Sequence, residues 1–254
     1  MSATAPTKLD ATARARSSGV EVVFVDLEAS GALLEAEEAA TPRLAASDIL
    51  RSERLSPDPV RQRLWRSARI ATRIVLERAA GPTVRRIDFE IAVAGRPSLG
   101  EGLPHFNVSH SGEAALIAVS EATPVGVDIE QLRTLAMTDD RRRRIIAAAA
   151  TLADGPALDH RRDGDVLRAW VRLEAVGKAR GTGIGRLLTE QGVIGGSNAV
   201  RGSRAASDIH VVDLSVPPNY VAAVSSAALP QSIEVIAFPT RAEVLVTFLS
   251  EAYT

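Results

Sequence analysis

Two long segments with helical spacing, each set among short alternating runs, constrain this chain more than any other feature. Val60, Leu64, Ala68, Ala71 and Val75 form one apolar stripe, so a helix is expected over Val60–Ala80, ended by Gly81-Pro82. A second is expected over Val166–Arg180, closed by Gly181-Thr182-Gly183-Ile184-Gly185. Runs that read as strands surround them: Val20–Leu27, Ile87–Ala92, His105–Ser109, Ala114–Ser120, Pro124–Glu130, His210–Leu214 and Tyr220–Ser226. Helical spacing also marks Ala45–Leu55, broken by Pro57 and Pro59, and Thr138–Asp154. Glu234–Leu249 is apolar without one clean period.

Each half of the chain has a long helix, then strands, then a closing strand: EAALIAVSE from Glu113 and NYVAAVSSA from Asn219. The expected fold is therefore α+β, with two similar, pseudo-duplicated α+β lobes. Small antiparallel sheets would pack with helices, and the lobes would meet at a cleft suited to a small molecule. The lobes would span 19–122 and 123–254, behind a disordered N-terminal segment at 1–18. A mobile loop is expected at Gly195–Ala206, which is small and polar.

Composition excludes several classes. With 254 residues the chain has room for real cores. A net charge of −1 provides no global basic field for nucleic acid or membrane. The absence of cysteine removes disulfides, thiolate metal sites and cysteine nucleophiles together. No apolar run approaches the roughly 18 residues that a membrane helix needs. The N-terminus lacks the apolar core of a secretory signal, so a cytoplasmic location is expected.

In Gly126-Val127-Asp128-Ile129-Glu130, alternation puts Asp128 and Glu130 on one strand face. Two like carboxylates repel, so either the face is wet or a cation sits between them. The second helix bears on that choice. Leu167, Trp170 and Val171 start an apolar stripe that continues through Glu174 and Lys178. A carboxylate on a core-facing stripe needs a partner, because burying it alone is costly. A metal shared with Asp128 and Glu130 would be one. Asn107-Val108-Ser109-His110-Ser111-Gly112 adds two hydroxyls, an imidazole and a glycine amide, a donor cluster suited to phosphate oxygens. Arg51 and Arg54 share a helix face, and Arg63, Arg66, Arg69 and Arg73 decorate the next helix. Arginines near a cleft hold phosphate bidentately, whereas most surface arginines are solvated.

Three segments stand in order: GRPSLGEGLPHFNVSHSG from Gly95, PVGVDIE from Pro124 and RAWVRLEAVGKARGTGIG from Arg168. Together they resemble the surfactin-type 4′-phosphopantetheinyl transferases, the two-lobed monomeric branch of that superfamily. The resemblance implies a magnesium-dependent enzyme, with Mn²⁺ as the other candidate ion. It would move the arm of coenzyme A to a serine of an acyl or peptidyl carrier protein. Asp128, Glu130 and Glu174 would hold the metal, and His110 the nucleotide 3′-phosphate, beside Ser109. Arg51, Arg54 and Arg96 would add basic contacts to the nucleotide, with Arg63 or Arg69 as another. Glu174, Lys178 and Asp128 would carry the catalysis, Lys178 by neutralising the pyrophosphate and the departing 3′,5′-ADP.

Two features depart from the family. Leu173 stands where a lysine is usual, which is expected to remove a cation from the edge of the site. Ile145–Ala153 carries no acid where the family has one. Gly177 is a further oddity, since glycine inside a helix costs about 1 kcal/mol relative to alanine. Other functions share the same residues: a non-catalytic relative that binds coenzyme A or a carrier, and a metal-dependent nucleotide pyrophosphatase. The basic run Arg141–Arg144 is a candidate docking face for a carrier.

Overall fold

A computed structural model of the protein describes residues 19–55, 58–91, 95–152, 157–194, 209–230 and 233–250. The disordered segment expected at 1–18 and the loop expected at Gly195–Ala206 lie outside the described residues. In chain order the elements begin with β1 (Val20–Asp26), α1 (Gly31–Ala40), α2 (Ala46–Arg54) and α3 (Pro59–Ala80). There follow β2 (Glu90–Ile91), β3 (Pro97–Ser98), β4 (His105–Ser111), β5 (Ala114–Ser120) and β6 (Val125–Gln131). The chain continues through α4 (Asp139–Ala149), α5 (Asp163–Arg180), α6 (Ile184–Glu190), β7 (His210–Asp213), β8 (Tyr220–Ser226), β9 (Val235–Ala237) and α7 (Ala242–Ser250).

Mixed α+β architecture with small sheets is thus observed. One sheet has the order β4-β5-β1-β9 and another β6-β8-β7, while β2 and β3 pair by themselves. Pairing is not wholly antiparallel, because β9 runs parallel to β1. The last segment lacked one period because it is two elements, a short strand added to the first sheet and then a helix. Arg78 of α3 holds α7 by donating from Nε to the Phe248 carbonyl at 2.8 Å, with its guanidinium over the Phe248 ring.

Strand alternation sorts side chains into layers. On β1 and β5, Val23, Val25, Ala115, Ile117 and Val119 face α3 and build one core with Ile70, Ile74 and Val75. Their alternate residues, Val22, Leu116 and Ala118, meet Val125, Val127 and Ile129 of β6 and Val224 of β8 in a second core between the sheets. The far face of β8, through Val221 and Ala223, packs on α5 in a third core with Ile145, Val171 and Leu187. The resulting order is α3, first sheet, second sheet, α5.

The long helix α3 starts where Asp58 accepts from the Val60 amide at 3.0 Å, with Pro59 in its first turn. It stops at Gly81, whose φ of 83° is open to glycine. Ala68, Ala71 and Val75 of the expected stripe are buried, but Val60, in the first turn, is 51% exposed. Of the strand expected at Ile87–Ala92, Glu90–Ile91 is extended and paired, residues 87–89 are not, and Ala92 lies outside the described residues. Among the described residues, no helix is long and apolar enough to cross a membrane.

Candidate active site

Gly126 determines how closely the second sheet and α5 approach. A Cβ at that position would lie 2.1 Å from the Ala175 carbonyl oxygen and 2.4 Å from the Ala179 amide nitrogen. Only glycine lets the helix backbone lie directly on β6, and this brings the face of Glu174 and Lys178 over Asp128. Lys178 Nζ donates to Asp128 Oδ1 at 2.7 Å and to the Val127 carbonyl at 3.0 Å.

The edge strands β4 and β6 belong to different sheets, yet side chains stitch them together. Asn107 Oδ1 accepts from the Val127 amide at 3.0 Å. Ser109 Oγ donates to Asp128 Oδ1 at 2.6 Å. Ser111 Oγ donates to Glu130 Oε2 at 3.1 Å and accepts from the Gln131 amide at 3.0 Å. Alternate residues of Asn-Val-Ser-His-Ser therefore address β6, and Ser109 spends its hydroxyl on a carboxylate.

Burial pushes the Asp128 carboxyl above its ordinary range, while Lys178 and the Ser109 hydroxyl oppose the shift. The Glu174 carboxyl is also pushed up, first by burial, then by the charges of Asp128 and Glu130. Asp128 and Glu130 have partners, the latter also accepting from Arg133 Nη1 at 2.7 Å. Glu174, half-buried, forms no hydrogen bond or ion pair among the described residues. No group of three or more His, Asp or Glu side chains among them is gathered tightly enough to hold one metal ion. The donor set nonetheless suits a hard divalent cation: the charge of Glu130 disfavours the ionised forms of both Asp128 and Glu174, and Glu174 has no hydrogen-bond or ion-pair partner among the described residues.

On the other face of β4, His110, Val108 and Phe106 line a pocket of about 260 Å³, joined by Arg51, Trp65, Arg69 and Phe89. Its walls are aromatic and its charged groups basic. Burial, then the charges of Lys178 and Arg69, push the His110 imidazole below its ordinary range. His110 lies between Ser109 and Ser111 on β4, so the pocket and the carboxylates adjoin across one strand. Trp65, Phe89 and the buried Asp48 were not singled out by the sequence.

The other arginines lie elsewhere. Arg54 is exposed at the end of α2 and does not line the pocket. Arg63 pairs with Glu28 at 2.9 Å, both exposed. Arg96 donates to the Ala179 carbonyl at 3.3 Å, at the end of α5. Within Arg141–Arg144, Arg142 turns inward to the Leu135 carbonyl and Asp163, at 2.7 and 2.5 Å. Leu173 is fully buried in the core around α5, so that position does not lie at the edge of the site.

No family model matches the chain. Curated relatives do. The chain is 32% identical to the 4′-phosphopantetheinyl transferase AcpT of Salmonella typhimurium over 131 residues, 50% of this chain and 62% of the relative. It is 27% identical to the 4′-phosphopantetheinyl transferase HetI of Nostoc sp. over 148 residues, 57% of this chain and 62% of the relative. A putative 4′-phosphopantetheinyl transferase of Synechocystis sp. is 28% identical over 144 residues, 56% of this chain and 58% of its own length. The chain thus spans less than two thirds of the length of these relatives. Their shared name supports the 4′-phosphopantetheinyl transferase superfamily.

Proposed function

We propose that this chain, similar to 4′-phosphopantetheinyl transferases, transfers the phosphopantetheine arm of coenzyme A to a serine of an apo acyl or peptidyl carrier protein, releasing 3′,5′-ADP. The observation that carries the proposal is the adjacency of two unlike sites along β4. One joins Asp128, Glu130, Glu174 and Lys178, and the other is an aromatic pocket with Arg51, Arg69 and His110. Coenzyme A has a pyrophosphate and, at its nucleotide end, an adenine and a 3′-phosphate. A carboxylate–ammonium site suits the first, and a basic aromatic pocket suits the second. A cytoplasmic monomer of two lobes, 19–122 and 123–254, with β9 and α7 of the second returning to pack on the first, is part of this proposal.

Asp128, Glu130 and Glu174 would hold Mg²⁺ or Mn²⁺. Such an ion supplies Lewis-acid stabilisation of charge on phosphate oxygens. The residues themselves do the rest. Among the described residues Glu174 forms no hydrogen bond or ion pair, whereas Asp128 and Glu130 both do, so Glu174 is the carboxylate that accepts the serine proton, directly or through a water. The serine oxygen bonds to the phosphorus on the pantetheine side, and the bond from that phosphorus to the bridging oxygen breaks. Lys178 neutralises the charge that leaves on 3′,5′-ADP. Asp128 keeps the Lys178 ammonium at the site through their ion pair. Ser109 orients Asp128. Arg51, Arg69 and His110 hold the nucleotide.

Intact mass spectrometry of an apo-carrier incubated with the protein, coenzyme A and Mg²⁺ tests the proposal. The expected result is a gain of one phosphopantetheinyl group that disappears with chelator. No gain on acyl and peptidyl carriers alike, with coenzyme A still bound, overturns transfer. Hydrolysis of coenzyme A without carrier would instead identify a pyrophosphatase.

A further inference from the structure

Beneath the basic pocket lies a carboxylate that the proposed reaction does not use. Asp48, in the first turn of α2, has a side chain only 5% exposed. Its Oδ2 accepts from Arg73 Nε and Nη2 at 2.9 and 2.6 Å and from the Ala45 amide at 3.2 Å. Its Oδ1 faces Arg69 Nε at 3.3 Å. Arg73 is spent below the pocket, with its guanidinium 3.8 Å from the Phe89 ring centroid. Arg69 is held between two rings, 5.1 Å from the centroids of Trp65 and of Phe89.

The groups divide the labour. One carboxylate, Asp48, serves both Arg73 and Arg69, while Arg51 lines the same pocket as Arg69. Positive charge is therefore in excess where Arg69 and Arg51 line the pocket. Arg69 turns Nε toward Asp48, and its terminal nitrogens form no hydrogen bond among the described residues. Those donors remain for a ligand. An arginine side chain is flexible, and lost rotamer freedom weakens binding unless the fold has already fixed the group.

We propose that Asp48 is a positioning residue that aims Arg69 at the pocket, and that this makes the site select a 3′-phosphorylated nucleotide over the same nucleotide without that phosphate. The inference rests on the reading of this pocket as the seat of the nucleotide end of coenzyme A. Asp48 touches no ligand and acts through Arg69. A role confined to capping α2 would affect all ligands alike, whereas aiming Arg69 affects only the one bearing the extra phosphate.

Calorimetric binding of coenzyme A and of dephospho-coenzyme A, with Mg²⁺ present, separates the two roles. Wild type should prefer coenzyme A. Asp48→Asn keeps the shape and a capping oxygen but loses the charge, whereas Asp48→Glu keeps the charge and displaces it by one methylene. Each should reduce the preference by about tenfold, through weaker coenzyme A binding alone, and Arg69→Gln should do the same. The double variant Asp48→Asn/Arg69→Gln should be no worse than Arg69→Gln. If Asp48→Asn does not fold, Asp48→Glu carries the comparison. Equal loss for both ligands, or an unchanged preference in folded Asp48 variants while Arg69→Gln loses it, overturns the inference. An unchanged preference in Arg69→Gln removes the pocket assignment, and the inference with it.

Discussion

Lys178 and Asp128 form an ion pair of unequal burial, 2.7 Å long, in which the ammonium is 27% exposed and the carboxylate 7%. The cost of breaking it depends on which partner remains. Lys178→Met leaves a buried carboxylate with only the Ser109 hydroxyl, which should cost about 3 kcal/mol. Asp128→Asn leaves an ammonium that keeps the Val127 carbonyl and reaches water, and it removes a charge that burial disfavours, so it should cost about 1 kcal/mol or less. Both variants should lose transfer. Urea unfolding at neutral pH measures the order, and a larger loss for Asp128→Asn would contradict it.

Glu174 couples activity to stability in opposite directions. Its carboxyl is raised by burial and then by Asp128 and Glu130, so the folded state holds the proton to a higher pH than the unfolded chain does. Stability therefore falls as pH rises through the window between the ordinary and the raised value, and stays lower above it. Glu174→Gln removes that penalty. With divalent ions chelated, the variant should melt above wild type at neutral pH, and the advantage should vanish below the ordinary carboxylate range. Its transfer rate should drop by about 10²-fold or more. A melting point below wild type at neutral pH would show that the carboxylate is not destabilising there.

Two glycines of the site region should respond oppositely to alanine. At Gly126 the new methyl would press on the Ala175 carbonyl and the Ala179 amide, neither of which can yield without lifting α5. Overpacking of this kind costs about 1–3 kcal/mol. It should also carry Glu174 and Lys178 away from Asp128 and impair transfer. At Gly177 the nearest atom would be Ile184 Cα at 3.5 Å, an ordinary contact. Gly177→Ala should then be neutral or stabilising by up to about 1 kcal/mol, through helix propensity. Thermal melts of the two variants decide this, with activity assayed well below each transition.

Periodicity made most of the elements that build the site legible. It placed α3, α5 and strands β4, β5, β6 and β8, and it put Asp128 with Glu130 and Glu174 with Lys178 on shared faces. It did not reveal α1, whose GALLEAEEAA buries only Leu34 and Glu38 and so carries little apolar pattern. Nor did it reveal α6, a seven-residue helix hidden behind the glycines that end α5. The arginines were the least legible part of the site. Arg63 and Arg69 differ by a rotation about α3, which leaves one on Glu28 and the other in the pocket. Which side of α3 meets β4 depends on long-range packing. Asp48 reads as an ordinary residue of a helical first turn, because Arg69 and Arg73 reach it from another helix.

Leu173 provides the sharpest test of how the site is bounded. In the resembled family a lysine is usual there, yet Leu173 is 0% exposed and packed in the core around α5. Lysine at that depth would strand an ammonium without a carboxylate, and polar burial of this kind costs several kcal/mol. Leu173→Lys should therefore lose about 3 kcal/mol or more of stability and gain no transfer per folded molecule. Leu173→Met, nearly equal in volume, should lose less than about 1.5 kcal/mol and retain transfer. Chemical denaturation paired with carrier loading distinguishes the outcomes. A Leu173→Lys protein as stable as wild type, with faster transfer, would put residue 173 at the edge of the site after all.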